Sequence, residues 1–318
     1  MDPAEASKMC GAVIDAIGEV VVVDDDILET VLTGILSRGH VLLEDVPGTG
    51  KTLTARSFAT ALGLSFNRIQ FTPDLLPGDI TGSHVYREKR GEFEFAEGPV
   101  FANVVLADEI NRAPPKTQAA LLEAMSEGQV SADGTTYQLP KPFFVIATQN
   151  PVEQEGTFAL PEAQRDRFIL KTELGYPDTG EMRTILDRRA DRTERTPTPQ
   201  TVLNGETVPE LQLVPERITV DSELRAYLIE LGEATRADDR VDVGVSPRGI
   251  QRLFEASRSR ALINGRTYVA PDDIRAVVRE TFEHRVILNS EATVRGVSPA
   301  AVVDDIVAQL EVPAVAAD

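Results

Sequence analysis

Residues His40 to Thr52 read HVLLEDVPGTGKT. A short apolar run leads into a loop with glycines, and Lys-Thr then opens a helix. That order suits a triphosphate. Backbone N–H groups of a tight loop point at phosphate oxygens, and the positive end of a helix lies behind them. Lys51 can reach the β- and γ-phosphates, and the Thr52 hydroxyl can hold Mg²⁺. The nucleotide-binding run is therefore expected to comprise Val46, Pro47, Gly48, Thr49, Gly50, Lys51, Thr52 and Leu53. One position departs from the phosphate-loop pattern. Glycine is usual five residues before Gly50, and Asp45 stands there. Asp visits left-handed backbone geometry more readily than most residues, so an intact loop is expected.

Outward from this loop, short apolar runs alternate with helical patterns. Strands are expected at His40 to Glu44, Leu64 to Phe71, Val104 to Asp108, Phe143 to Ala147 and Phe168 to Leu174. Buried strands separated by helices indicate a parallel sheet covered on both faces. Ligands on such sheets collect at the carboxyl ends of the strands. Two hairpins are expected, over Ser83 to Ala96 and over Gln129 to Leu139, the second turning at Asp133-Gly134. Pro73, Pro77 and Gly78 are expected to break the chain between strand and hairpin. Ahead of the sheet, residues 1 to 38 read as helices around the Val20 to Val23 patch, one starting at Asp24 to Asp26. Gly175-Tyr176-Pro177 marks a boundary, dividing the chain into 1–176 and a helical 177–318 with an irregular stretch at 193–215. Helices fit Ser222 to Thr235, Pro247 to Ile263, Pro271 to His284 and Pro299 to Leu310.

Asp108 and Glu109 end the apolar run NVVLADE. Paired acids at the end of a buried strand are costly unless they bind something. Asp108 is expected to hold Mg²⁺, and Glu109 to orient and deprotonate an attacking water. Asn150 ends the next strand in ATQNP, where a neutral amide can sense the γ-phosphate and the water. Arg167, in LPEAQRDRF, can reach a neighbouring subunit's γ-phosphate. Arg248 follows Ser246-Pro247, a helix cap and first position. Its charge opposes the helix dipole there, so it is expected to contact the phosphates instead. His40, His84 and His284 lack metal-ligand spacing and read as structural or surface residues.

The 318 residues carry a net charge of −19, which argues against a protein that coats DNA or an anionic membrane. No apolar run approaches membrane-spanning length. The start, MDPAEASK, lacks an export pattern, so a cytoplasmic location is expected. A single cysteine, Cys10, excludes an intramolecular disulfide. Lysine is confined to Lys8, Lys51, Lys89, Lys116, Lys141 and Lys171. A lysine-poor acidic surplus suggests a halophilic source, where salt screens self-repulsion.

Together these residues resemble the MoxR family of AAA+ ATPases. The likeness runs through GPVFANVVLADEINR from Gly98 and APPKTQAALLEAMSEGQV from Ala113. It resumes in FFVIATQNPVEQEGTFALPEAQRDRF from Phe143, and later in SPRG and GRTYVAPDDI. The resemblance implies a five-stranded parallel αβα P-loop domain and a small helical lid. It implies a ring, often a hexamer, with ATP and Mg²⁺ at subunit interfaces. On that pattern Lys51 and Thr52 are Walker A, Asp108 and Glu109 Walker B, Asn150 sensor 1, Arg167 the trans arginine finger and Arg248 sensor 2. Leu75 to Ala96 resembles the insert that interrupts the second helix in this clade. Arg165 stands where the family commonly has Leu, which leaves the finger open between Arg165 and Arg167. The family is associated with chaperone-like remodelling and with von Willebrand factor A-type partners. A magnesium-chelatase-like subunit and a DNA-translocating motor share the ATPase core, and a non-hydrolysing scaffold is a further class that Glu109 argues against.

Overall fold

A computed structural model describes residues 1–89, 91–151, 156–193 and 196–313. Its frame is a five-stranded sheet in which every neighbouring pair runs parallel. The helices α1 (Pro3–Gly18) and α2 (Asp25–Leu36) come first, and strand β1 (His40–Glu44) enters the phosphate loop. Helix α3 (Lys51–Ala61) leaves that loop and returns through β2 (Phe66–Gln70). A short α4 (Pro77–Thr81) precedes the hairpin of β3 (Gly82–Arg87) and β4 (Glu92–Glu97). Next come β5 (Val104–Asp108), α5 (Pro115–Glu127), the hairpin of β6 (Gln129–Ala132) and β7 (Thr135–Gln138), and β8 (Phe144–Gln149). A single turn, α6 (Glu162–Arg165), leads into β9 (Phe168–Thr172). The order across the sheet is β2-β5-β8-β1-β9.

Alternation within the strands sets the two layers. Val41 and Leu43 join one core cluster with Val104, Leu106 and Ile146. Leu42 joins the other with Val105, Ala107 and Val145. Successive strand residues face opposite sides, so a sheet buried on both faces needs apolar residues throughout.

The rest of the chain is mostly helical. It comprises α7 (Thr179–Asp191), α8 (Val208–Leu211), α9 (Ser222–Ala237), α10 (Pro247–Ile263), α11 (Pro271–Phe282), α12 (Ser290–Val294) and α13 (Pro299–Gln309). A small antiparallel pair, β10 (Val241–Val243) and β11 (Ile287–Leu288), sits among them. Residues of α1, α2, α9, α10 and α11 share one continuous core with β1 and β9. Capping fixes several starts. The Asp24 carboxylate accepts the Asp26 N–H, and Asp178 and Glu181 form a reciprocal capping box. Ser246 accepts the Gly249 N–H ahead of Pro247.

One local expectation changes. Pro77 and Gly78 do not interrupt the chain but open α4, where a helix-first-turn proline loses no hydrogen bond. Between 196 and 215 the irregular connection is made of 3-10 turns and the short α8, and residues 194–195 lie outside the described residues. Helix α7 falls within the stretch expected to be helical, though it buries no residue and its apolar positions are few. Residue 90, in the expected first hairpin, and residues 152–155, in the resembling run PVEQEG, lie outside the described residues.

The histidines and Cys10 are structural. His40 is buried, with the Val145 N–H donating to Nδ1 at 3.0 Å and the Met125 carbonyl 3.1 Å from Nε2. Burial pulls its pKa down to about 4, so the ring is neutral. His84 joins the two hairpins through Asp133 Oδ2 at 2.9 Å and the Tyr137 hydroxyl at 3.3 Å. Cys10 lies in the core, its thiol pushed up to about 12 by burial. Among the described residues no helix is long and apolar enough to cross a membrane.

Candidate active site

A cleft of about 710 Å³ opens at the carboxyl ends of β1, β5 and β8. The phosphate loop contributes Pro47, Gly48, Gly50, Lys51, Thr52 and Leu53. Strand β5 and the residue after it contribute Asp108 and Glu109, and β8 and the residue after it contribute Thr148, Gln149 and Asn150. Gly48 and Gly50 hold φ at 91° and 98°, values that side-chain-bearing residues rarely adopt. The loop therefore turns tightly and presents its N–H groups inward. The Lys51 ammonium donates to the Asp45 and Val46 carbonyls at 2.8 and 2.7 Å. Burial lowers its pKa, and Asp45, Asp108 and Glu109 oppose that shift. The Thr49 hydroxyl donates to the Val46 carbonyl, closing the loop on itself.

Asp45 does not serve through left-handed geometry. The non-glycine residues with positive φ among those described are Arg38, Glu109 and Asp133. Asp45 instead acts through its carboxylate. Oδ1 accepts the Val46 N–H at 2.7 Å, and Oδ2 accepts the Leu174 and Gly175 N–H groups at 3.2 and 3.0 Å. A buried anion thus ties the start of the loop to the exit of β9.

The two acids of β5 are held differently. The Thr148 hydroxyl donates to Asp108 Oδ1 at 2.6 Å and accepts the Glu109 N–H at 2.8 Å. Arg68 donates twice to Asp108 Oδ2, at 3.0 and 2.6 Å. Glu109 has φ 57° and ψ 50°, which turns its side chain away from the strand. Its Oε2 accepts from Gln70 at 2.8 Å and Arg112 at 3.1 Å. Asn150 is buried beside these groups.

The donor set fits Mg²⁺ with a nucleotide. The Thr52 hydroxyl and the Asp108 carboxylate are hard oxygen donors lining one cleft. Mg²⁺ usually takes one or two such protein oxygens, with phosphates and waters supplying the rest. Among the described residues no cluster of three or more metal-ligating side chains exists, in keeping with so sparse a set.

A second cavity of about 410 Å³ adjoins the first across Pro47, Gly48, Gly50 and Leu53. Its walls include Val20 to Val23, Leu174, Tyr176, Met182 and Ile185. A slot walled by these apolar side chains, with Glu181, Arg188 and Arg192 also lining it, is continuous with the phosphate cradle and has the character of a purine site. The sequence showed the valine patch but gave no sign that it faces the loop, since that depends on how α1 and α2 wrap the sheet. Arg68, Gln70, Arg112 and Thr148 were also missed. Arg68 and Gln70 are alternate polar residues on a strand expected to be buried, which was the available signal.

Arg167 and Arg248 lie elsewhere. Phe168 pairs with His40, so Arg167 sits at the amino end of the sheet while the phosphate loop leaves the carboxyl end. The five residues of β1 separate those ends by about 16 Å at the usual rise per residue. Arg248 approaches Asp166 Oδ2 at 3.7 Å and does not line the cleft. Arg248 therefore lies beside the turn that carries Arg167 and not in the cleft of its own chain. Arg165 turns inward, its Nε buried and its charge helping to lower the pKa of the buried His284.

Residues 40–170 match the ATPase family associated with various cellular activities (AAA), and residues 233–306 match the AAA lid domain. YeaC of Bacillus subtilis, itself uncharacterized, is 46% identical over 96% of this chain and 95% of its own. Chaperone MoxR1 of Mycobacterium tuberculosis is 43% identical over 93% of this chain and 80% of its own. The crystal structure of a candidate ATPase from Cytophaga hutchinsonii superposes with a TM-score of 0.90 at 40% identity, covering 98% of this chain and 97% of that one. Magnesium-chelatase subunit ChlI of Anabaena variabilis is more distant, at 26% identity over 58% of this chain.

Proposed function

The chain belongs to the MoxR family of AAA+ ATPases, and from that premise we propose that it hydrolyses ATP between adjacent subunits to remodel a partner protein. The observation that carries this is the convergence of Lys51, Asp108 and Glu109 in one cleft behind a glycine loop. Loop N–H groups and Lys51 bind the β- and γ-phosphates, and the valine-lined slot takes the adenine. Thr52 and Asp108 would hold Mg²⁺, which supplies charge neutralisation on the β- and γ-oxygens. Glu109 accepts a proton from water as the water oxygen bonds to the γ-phosphorus. The bond from that phosphorus to the bridging oxygen breaks, and ADP leaves with phosphate. Asn150 positions the water and the γ-phosphate.

A neighbouring chain must supply the remaining charge. Arg167 lies a strand's length from its own phosphate loop, so it serves the next subunit's site, and Arg248 shares that end of the sheet through Asp166. Arg167 is favoured over Arg165, whose Nε is buried. This arrangement calls for a ring, with a hexamer the expected size, working in the cytoplasm with a von Willebrand factor A-type partner. The charge of −19 weighs against a DNA-translocating alternative.

The test is phosphate release by wild type and Glu109→Gln at saturating Mg-ATP, with binding followed by calorimetry. Glu109→Gln is expected to bind ATP normally and release phosphate at least about 10²-fold more slowly. Equal release rates would remove Glu109 from the mechanism.

A further inference from the structure

Arg285 is an unusual residue to find in a core. Its side chain is 3% exposed, and it lies just past α11, 119 residues beyond Asp166. Most of its donor contacts go to one short segment, and Nη1 also lies 2.7 Å from the adjacent His284 Nε2. Nε donates to Asp166 Oδ1 at 2.8 Å. Nη2 donates to the Phe168 carbonyl at 2.7 Å and the Asp166 carbonyl at 3.3 Å. Nη1 donates to the Ile169 carbonyl at 3.2 Å and to the Thr281 carbonyl at the end of α11. The gripped residues 166, 168 and 169 bracket Arg167.

The surroundings are shaped for this reach. A Cβ on Gly249 would lie 2.9 Å from Arg285 Cδ and 2.5 Å from Val245 Cγ1. The glycine of Ser246-Pro247-Arg248-Gly249 thus leaves room for the Arg285 stem. The other Asp166 oxygen faces Arg248 at 3.7 Å, so one carboxylate is shared by α10 and the segment after α11. Burying a guanidinium is costly unless its donors are satisfied. Ordinary packing would be served as well by an apolar side chain, and such replacements are often neutral or stabilising.

We infer that Arg285 is a positioning residue for Arg167: it fixes the turn that presents Arg167 to the neighbouring subunit and ties that turn to the helical lid. This rests on the assignment of Arg167 as a trans-acting group. A fork with several fixed donors holds a backbone segment in one geometry, which lysine cannot reproduce. A misplacement of about 1 Å at a charge-stabilising group costs on the order of 10²-fold in rate. A displacement of the lid would move Arg167 with it, so the helical half of one subunit sets the rate at the next subunit's site.

The experiment uses full-length chains mixed in assembled form. Arg285→Lys is expected to bind ATP with unchanged affinity by calorimetry and to lose about 10²-fold in kcat. Glu109→Gln chains retain Arg167 but do not turn over. Mixed in excess with Arg285→Lys chains, they are expected to restore turnover at the Arg285→Lys sites, because each then faces an intact Arg167. Mixing with Arg167→Ala chains is expected to restore nothing. Asp166→Ala, at a partly exposed position, serves as a second variant should Arg285→Lys fail to fold. A wild-type kcat in the variant that folds, or a loss that Glu109→Gln chains do not rescue, overturns the inference. The Arg167→Ala chains judge the underlying assignment separately: if they keep full activity alone, Arg167 itself is misassigned.

Discussion

The Thr148 hydroxyl is 2.6 Å from Asp108 Oδ1 and donates to it, while accepting the backbone N–H of Glu109. One side chain therefore fixes both acids of β5. Thr148→Val keeps the shape and strands the half-buried Glu109 N–H and the Asp108 carboxylate, at a cost of about 1–3 kcal/mol. Chemical denaturation should show that loss. Phosphate release should fall about tenfold or more, since Glu109 is no longer held in place.

Asp45 makes the opposite case to a glycine. Asp45→Ala leaves three N–H groups of the loop base and β9 exit without their anion. Charge-assisted bonds of this kind contribute more than neutral ones, so a loss of about 2–3 kcal/mol is expected. Asp45→Gly, which restores the usual phosphate-loop residue, should destabilise as well. A midpoint of urea unfolding unchanged in both variants would rule out the clamp.

That position shows where the sequence was legible and where it was not. The loop, the five strands and the paired acids were readable, because each depends on local pattern: buried strands need apolar runs, and phosphate loops need glycines. Asp45 was misread because its partners, Leu174 and Gly175, lie about 130 residues on and only the β1–β9 pairing brings them near. The place of Arg248 was hidden for the same reason. Its helix start was plain from Ser246 and Pro247, but its proximity to Asp166 is a tertiary fact. Arg285 carried no local signal at all.

The slot beside the loop should recognise the base. Ile185→Asp places a charge on an apolar wall of that cavity. ATP affinity should fall about tenfold or more, while kcat at saturation changes little. Titration calorimetry and a steady-state comparison separate the two. An unchanged affinity would mean that the base lies elsewhere.

Acid should destabilise the fold through His40. Its folded pKa near 4 lies below the usual value of 6.5, so between those values the unfolded chain binds the proton and the folded chain does not. Stability is present above about pH 6.5 and declines as pH falls toward 4, by up to about 3 kcal/mol. Burial acts in the same direction on His284. His40→Gln should flatten the slope of stability against pH in that window.

Salt should act in the other direction. With a net charge of −19, self-repulsion falls as the screening length shrinks to about 3 Å in molar salt. Melting temperature is expected to climb through molar KCl if the chain comes from a halophile. Equal stability in dilute buffer would count against a halophilic source.

The polarity of the sheet has an arithmetic consequence. With Arg167 acting on the next subunit as proposed, each copy would offer an acceptor at one end and a donor at the other, and a solitary molecule would complete no workplace of its own. An open chain of n copies completes n − 1, and only closure fills the last one. Turnover per molecule should therefore rise steeply with protein concentration and level off once circles form.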